Sequence, residues 1–190
     1  MTAYELAMNS EVQSELVNEV DKVLALLDGK PVTYEVLQRM KFLDQVMSES
    51  LRFHPPQKFL NRECNKNCKL NLGNGKFVEL KKGENILIPV QSIHFDEKFF
   101  KNAMNFDPHR FDADKKDSII SGSYLPFGIG PRSCIGSRFA LMIAKLVIFT
   151  ILSKFTIKVC DETPKKLKFV PSLFTFEYES KIFLELKPRN

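Results

Sequence analysis

The feature that most restricts this chain is a glycine- and proline-bearing segment, Phe127 to Gly136, that runs straight into its most apolar stretch, Phe139 to Leu152. Three of the eight glycines fall within the nine positions from Gly128 to Gly136. The apolar stretch is 14 residues long and contains Lys145, whereas a membrane span needs about 18 to 20 apolar residues. It is therefore predicted to be a buried core helix, with a tight turn immediately ahead of it. At 190 residues the chain fits one domain and buries roughly 70% of the surface its unfolded form exposes. With 44% hydrophobic and 27% charged residues, wholesale disorder and collagen-like repeats are excluded. The net charge of +5 is spread along the chain and does not argue for a nucleic-acid partner. Residues 1–20 are amphipathic and carry acids from Glu5 onward, which lacks the basic start and unbroken apolar run of a signal peptide. Four cysteines in this length make no disulfide framework, and a reducing compartment is expected.

Hydrophobic spacing organises the rest. Ser10 and Gln13 have the spacing of a capping box, and Val12, Leu16, Val17, Val20, Val23, Leu24 and Leu27 follow at helical intervals. This predicts a helix over about 10–28, stopped by Gly29 and Pro31. A second helix, about 36–53, follows from Val36, Leu37, Met40, Leu43, Val46, Met47 and Leu51, and ends at Pro55 and Pro56. Lys69 to Leu72 and Lys76 to Leu80 flank Gly73-Asn74-Gly75, a hairpin signal, and Asn85 to Val90 reads as a further strand, so small strands are expected over about 69–90. Residues 92–134 show little regular pattern, a length uncommon in loops without function. A helix over 135–153 and strands over 155–188 complete an α+β reading.

Within the loop before the last helix, glycine permits close backbone approach to a large flat ligand. A cysteine at a helix N-terminus beside an arginine has its thiolate stabilised by dipole and charge, and such a thiolate suits iron. Taken alone, Cys134 also reads as a small buried hydrophobe in a turn feeding a helix. A dinucleotide loop fits poorly: Ser133 stands where a third small residue belongs, and Pro126 interrupts the preceding strand. The lysine and hydroxyl residue of a Walker loop are absent there. His54, His94 and His109 carry no local signature of a Cys–His nucleophile. Cys64-x3-Cys68 lacks the second ligand pair of a zinc site and is read as structural.

Phe127-x-x-Gly130-x-Arg132-x-Cys134-x-Gly136 resembles the haem-binding loop of the cytochrome P450 family at all five fixed positions. The resemblance implies that Cys134 is the axial thiolate of haem iron and that Arg132 binds a haem propionate. Phe127, Gly128, Gly130 and Gly136 then form the loop against the cofactor, haem b. A thiolate ligand favours O–O cleavage, which suits oxygenase chemistry. Upstream, Glu49-Ser50-Leu51-Arg52 is by itself an i,i+3 pair of the kind that usually lies solvated on a helix. It also resembles the family's Glu-x-x-Arg motif, and Pro108-His109-Arg110-Phe111 resembles the later Pro-x-Arg-Phe segment, with His109 where the family more often has Glu. Glu49, Arg52 and Arg110 are then expected to form a buried structural cluster. Arg62 resembles a second propionate-binding arginine, with an exposed strand-end arginine as the alternative. Pro56, Gln57, Lys58 and Leu60 match a stretch that lines the substrate pocket. The wording around Arg62 and from Leu125 to Phe139 looks most like animal microsomal members, the insect detoxifying type especially.

The resemblance implies a mainly helical fold with small β-sheets, of which residues 1–190 are the C-terminal part. Met1 to Gln13 looks like the stretch just after the family's long central helix, and the oxygen-activating acid–threonine pair has no counterpart in these residues. A partial sequence, or a truncated product beginning at an internal methionine, is the expectation. The implied protein is a monooxygenase that acts on a lipophilic small molecule with electrons from an NADPH-dependent flavoprotein reductase. It would sit at the cytoplasmic face of the endoplasmic reticulum membrane through an N-terminal anchor that these residues lack. The alternative is a non-catalytic product that binds haem weakly or only binds partners.

Overall fold

The structure is a computed structural model and describes residues 1–115, 118–168, 170 and 178–189. Helices α1 (Thr2–Met8) and α2 (Ser10–Leu27) join at Asn9. The expected Ser10–Gln13 capping box is not formed: Asn9 is the cap residue, and no side chain closes the first turn. Gln13 turns inward instead. Its Nε2 donates to the carbonyls of Leu6 and Ile157, and its Oε1 accepts from the Ile157 amide, all at 2.8 Å. Because α1 leads directly into α2, Gln13 lies at a buried junction where unpaired backbone groups need partners more than the helix end does. Asp28 in the left-handed region (φ 47°) and Gly29 (φ 77°) then end α2.

The predicted single helix over 36–53 is two helices, α3 (Tyr34–Arg39) and α4 (Lys41–Phe53), separated by an extended Met40. The break has a tertiary cause. Both carboxylate oxygens of Glu19, on α2, accept from the first-turn amides of Phe42 (2.9 Å) and Leu43 (2.8 Å). They supply to α4 the cap that its own residues do not.

Three two-stranded antiparallel sheets follow. Strand β1 (Phe59–Glu63), which precedes the 69–90 range expected for strands and carries Arg62 near its end, pairs with β4 (Asn85–Pro89) in the register Arg62↔Ile86. Strands β2 (Cys68–Gly73) and β3 (Lys76–Leu80) form the hairpin, with Asn74 (φ 51°) and Gly75 (φ 73°) making its left-handed turn. Helix α5 (Val90–His94) and short 3-10 turns at Pro108–Phe111 and Gly130–Arg132 give the region from 92 to 134 more regularity than its sequence shows. Helix α6 (Ser137–Leu152) precedes β5 (Phe155–Lys158), which pairs with β6 (Glu185–Pro188). Of the strands expected over 155–188, residues 171–177 lie outside the described residues.

The core is where α1, α2, α4, α6 and β5 converge, around Leu6, Leu16, Leu43, Val46, Leu152 and Ile157. Burying each large aliphatic side chain stabilises by about 1.5 to 3 kcal/mol. Helix α6 departs from the expectation of full burial. Its Ile148, Phe149 and Leu152 face the core and Lys145 pairs with Asp44 at 2.8 Å, while Phe139 (66% exposed), Ile143, Leu146 and Val147 face outward. The helix is apolar on most of its circumference, and α2, α3, α4 and β5 pack against it. Among the described residues, no helix is long and apolar enough to cross a membrane.

Candidate functional site

Helix α4 sends its Leu43–Val46–Met47 side into the core and its last turn towards the long segment after α5. Glu49 and Arg52, both fully buried, meet there in a bidentate pair: Arg52 Nε donates to Glu49 Oε2 (2.7 Å) and Nη2 to Oε1 (2.8 Å). The solvated surface pair that the i,i+3 spacing alone implies is not what forms. Arg52 also donates to the carbonyls of His94 (2.7 Å) and Asn105 (3.2 Å), and Glu49 Oε1 accepts from the Asp107 amide (2.9 Å). Arg110 arrives from the 3-10 turn with Nε at 3.5 Å from Glu49 Oε2, and donates Nη1 to the Lys101 carbonyl at 2.6 Å. The rings of Phe53, Phe95 and Phe100 lie within 5.6 Å of the Arg52 guanidinium carbon. One carboxylate thus sits between two guanidinium groups, and their remaining donors hold backbone carbonyls of residues 94–105.

His94 continues this network towards Cys134, and sequence reasoning missed it. The Leu125 amide donates to its Nε2 at 2.8 Å, so the ring proton is on Nδ1, which donates to the Arg52 carbonyl at 3.0 Å. The ring is fully buried, stacked on Tyr124 (centroids 5.7 Å apart) and edge-on to Phe100. Burial pushes its pKa down to about 4; the hydrogen bond to the Arg52 carbonyl opposes this, and the smaller effect of the Arg52 charge adds to the lowering. Tyr124 donates its hydroxyl to the Ser48 carbonyl at 3.0 Å, and burial raises its pKa. The only sequence signal at His94 is a lone polar ring after an apolar strand.

Two residues beyond Leu125 the cysteine loop begins. The Cys134 amide donates to the Phe127 carbonyl (2.8 Å) and the Ser133 amide to the Gly130 carbonyl (3.0 Å), while Gly128 (φ 70°) and Gly130 (φ 76°) take left-handed conformations at its base. A Cβ on Gly128 would stand 3.6 Å from Leu60 Cδ1, so β1 abuts the loop there. Cys134 is exposed, which removes the reading of a buried small hydrophobe. It also lies outside the helix: α6 starts at Ser137 with Gly136 as its cap, where a helix from Ile135 was expected. Ile129, Ile135 and Phe139 are exposed on the loop and the first turn of α6, and Arg132 is exposed on the 3-10 turn. Arg62 is half-buried on β1, with Nη1 on the carbonyl of Asn61 (2.8 Å). Of the expected pocket residues, Pro56 and Gln57 are exposed, Leu60 is half-buried and Lys58 is buried. Two cavities lie elsewhere: one of about 590 Å³ beside Gln13 and Ile157, and one of about 1090 Å³ beside Glu5, Phe53 and His54. No residue of the 127–136 loop lines either, nor do Pro56, Gln57, Lys58 or Leu60.

A soft sulfur donor on a backbone-tied loop, with exposed Arg132 and apolar Ile129, Ile135 and Phe139 on the same loop and the helix turn after it, suits the haem-thiolate class of proteins. The cytochrome P450 family profile matches residues 1–182, and the chain belongs to that family. It is 42% identical to cytochrome P450 9e2 of Blattella germanica over 184 residues, 97% of this chain and 34% of that protein. It is 42% identical to the probable cytochrome P450 9f2 of Drosophila melanogaster over 189 residues, 100% of this chain and 36% of that protein. A lithocholate 6-beta-hydroxylase of Mesocricetus auratus is 37% identical over 190 residues, 100% of this chain and 36% of that protein. The chain therefore spans about a third of the length of the curated relatives it matches.

Membership in the family implies a haem iron cofactor, and the residues present fit one. The exposed Cys134 offers one soft sulfur donor, the exposed Ile135 and Phe139 are apolar enough for a porphyrin face, and Arg132 and Arg62 are of the type that matches carboxylates. The glycines at 128 and 130 keep side-chain bulk away from the loop.

Proposed function

We propose that the chain forms the haem-thiolate portion of a monooxygenase that inserts one oxygen atom of O2 into a lipophilic small molecule. The observation that carries this reading is the exposed Cys134 sulfur on a loop tied by the Phe127 carbonyl and framed by left-handed glycines. In this reading Cys134 would hold the iron of haem b through its sulfur, and Arg132 and Arg62 would bind its propionates. Phe127, Gly128, Gly130 and Gly136 would let the loop lie close to the haem. The bound haem supplies the redox chemistry on O2. The protein's own part would be to present the sulfur on a loop tied by the Phe127 carbonyl and to keep that loop from shifting. Glu49, Arg52 and Arg110 act structurally, pinning the segment that leads to Cys134.

Electrons would come from an NADPH-dependent flavoprotein reductase, and the complete protein would lie at the cytoplasmic face of the endoplasmic reticulum membrane. Similarity to a protein named a hydroxylase supports oxygen insertion, and Pro56, Gln57, Lys58 and Leu60 are proposed to contact substrate. The test is the absorption spectrum of the reduced, carbon monoxide-bound protein loaded with haem. The long-wavelength band characteristic of thiolate ligation is expected. It should vanish in Cys134→His and persist in Cys64→Ser, Cys68→Ser and Cys160→Ser. A band surviving in Cys134→His refutes the ligand assignment. A chain that takes up no haem favours the non-catalytic alternative.

A further inference from the structure

Cys64 and Cys68 are left unused by the haem reading, and the fold brings their sulfurs to 3.7 Å. Each cysteine is held by a different sheet. Cys64 follows β1 and continues its pairing: its amide donates to the Glu84 carbonyl and its carbonyl accepts from the Gly83 amide, both at 2.8 Å. Cys68 opens β2 and pairs with Leu80 across the hairpin. Between them Asn65, Lys66 and Asn67 are exposed, and Asn67 Oδ1 accepts from the Lys82 amide at 2.8 Å. The Cys64 thiol donates to the Lys66 carbonyl at 2.9 Å, so the turn folds back over its own sulfur. Among the described residues no group of three or more His, Cys, Asp or Glu could hold a metal ion, which leaves the pair short of a zinc site.

We propose that Cys64 and Cys68 are a reversible dithiol–disulfide pair, a modification site that low-molecular-weight disulfides close and thiols reopen. The exchange balances without any other reactant. One sulfur of the pair, as thiolate, attacks a glutathione-type disulfide and releases one glutathione. The second then displaces the other glutathione from the mixed disulfide. Two protein thiols and one glutathione disulfide become one protein disulfide and two glutathione thiols. The sulfurs stand in near contact and must close to about 2.05 Å, a movement that the exposed 65–67 turn absorbs while both sheets stay in place. Cys68 is exposed and Cys64 half-buried, so solution disulfides reach the pair, and an exposed disulfide of this kind is the reducible, regulatory sort. Cys134 is also exposed, and among the described residues a sulfur–sulfur contact is found for Cys64 with Cys68 and not for Cys134, while Cys160 is hydrogen-bonded to Thr163 and the Phe183 carbonyl. Closure would join the end of β1, two residues beyond Arg62, to the hairpin. The inference does not depend on haem binding.

The test uses the full chain in buffers of graded reduced and oxidised glutathione, quenched in acid, capped with a maleimide and digested with trypsin. Cleavage after Arg62, Lys66 and Lys69 leaves Cys64 and Cys68 on separate peptides. A disulfide between them therefore appears as one linked species, lighter by two hydrogens than the two free peptides together. The linked species is expected to dominate over glutathione adducts. Cys64→Ser and Cys68→Ser should each turn the remaining cysteine into a mixed disulfide. If the fold creates the pair, closure in the native chain should be about ten-fold more favourable than in urea-unfolded chain, measured as the glutathione ratio at half-closure. Separate glutathione adducts on both cysteines would overturn the proposal. So would complete maleimide capping at the highest oxidised fraction, or equal closure in urea.

Discussion

Replacing His94 by Gln should remove an acid sensitivity that the buried ring builds into the fold. Gln keeps one donor for the Arg52 carbonyl and one acceptor for the Leu125 amide, but it does not titrate. In the native chain the imidazole is neutral, because protonating Nε2 would aim its new proton at the Leu125 amide and add a charge beside Arg52. Its pKa falls from an ordinary 6.5 to about 4 on folding. A depressed folded pKa gives stability that is present above about pH 6.5 and lost as pH falls towards 4. The gap, at about 1.4 kcal/mol per pH unit, comes to about 3 kcal/mol in full, most of which is lost by pH 4.5. Urea unfolding followed by far-ultraviolet circular dichroism at pH 7.5 and 4.5 measures it for both proteins. Every other titrating group is common to the two, so the native chain should lose about 2 to 3 kcal/mol more than His94→Gln on acidification. An equal loss in the two proteins would show that His94 is not the neutral, paired ring described, and the reasoning from burial would fail.

Glu49→Ala leaves two guanidinium groups facing each other in a dry site and should cost about 3 to 5 kcal/mol, read as a fall in the urea midpoint and loss of haem retention. Arg52→Lys should fail similarly, since an ammonium cannot make the bidentate pair; normal stability with lost turnover would refute a structural role. Gln13→Leu strips partners from the Leu6 carbonyl and from both backbone groups of Ile157, and should cost about 1 to 3 kcal/mol for each group left unpaired, measured by thermal melting. Gly128→Ala meets only ordinary contact with Leu60, so its penalty of about 1 to 2 kcal/mol should come from the left-handed backbone alone. Gly128→Asn should recover part of that stability, and equal losses in the two variants would contradict the backbone explanation.

What was legible in the chain is what local chemistry decides. The Gly73-Asn74-Gly75 turn, the stop after Leu27 and the glycine-framed approach to α6 all rest on left-handed backbone that few residues tolerate, so composition reports them directly. Glu49 and Arg52 are three positions apart on one helix, which makes their pairing available from spacing alone. That they are buried is not available from spacing, because burial depends on the aromatic rings and the carbonyls of His94 and Asn105 brought from more than forty residues away.

The tertiary structure decided the rest, mainly through contacts between a side chain and a distant backbone. The break at Met40 comes from Glu19 capping α4, the inward turn of Gln13 from the unpaired groups of Leu6 and Ile157, and the role of His94 from the Leu125 amide. Backbone amides and carbonyls are the same at almost every residue, so no sequence pattern marks which of them a distant side chain will satisfy. Their need is set only when packing removes water, and the polar side chain that folding brings within reach then meets it.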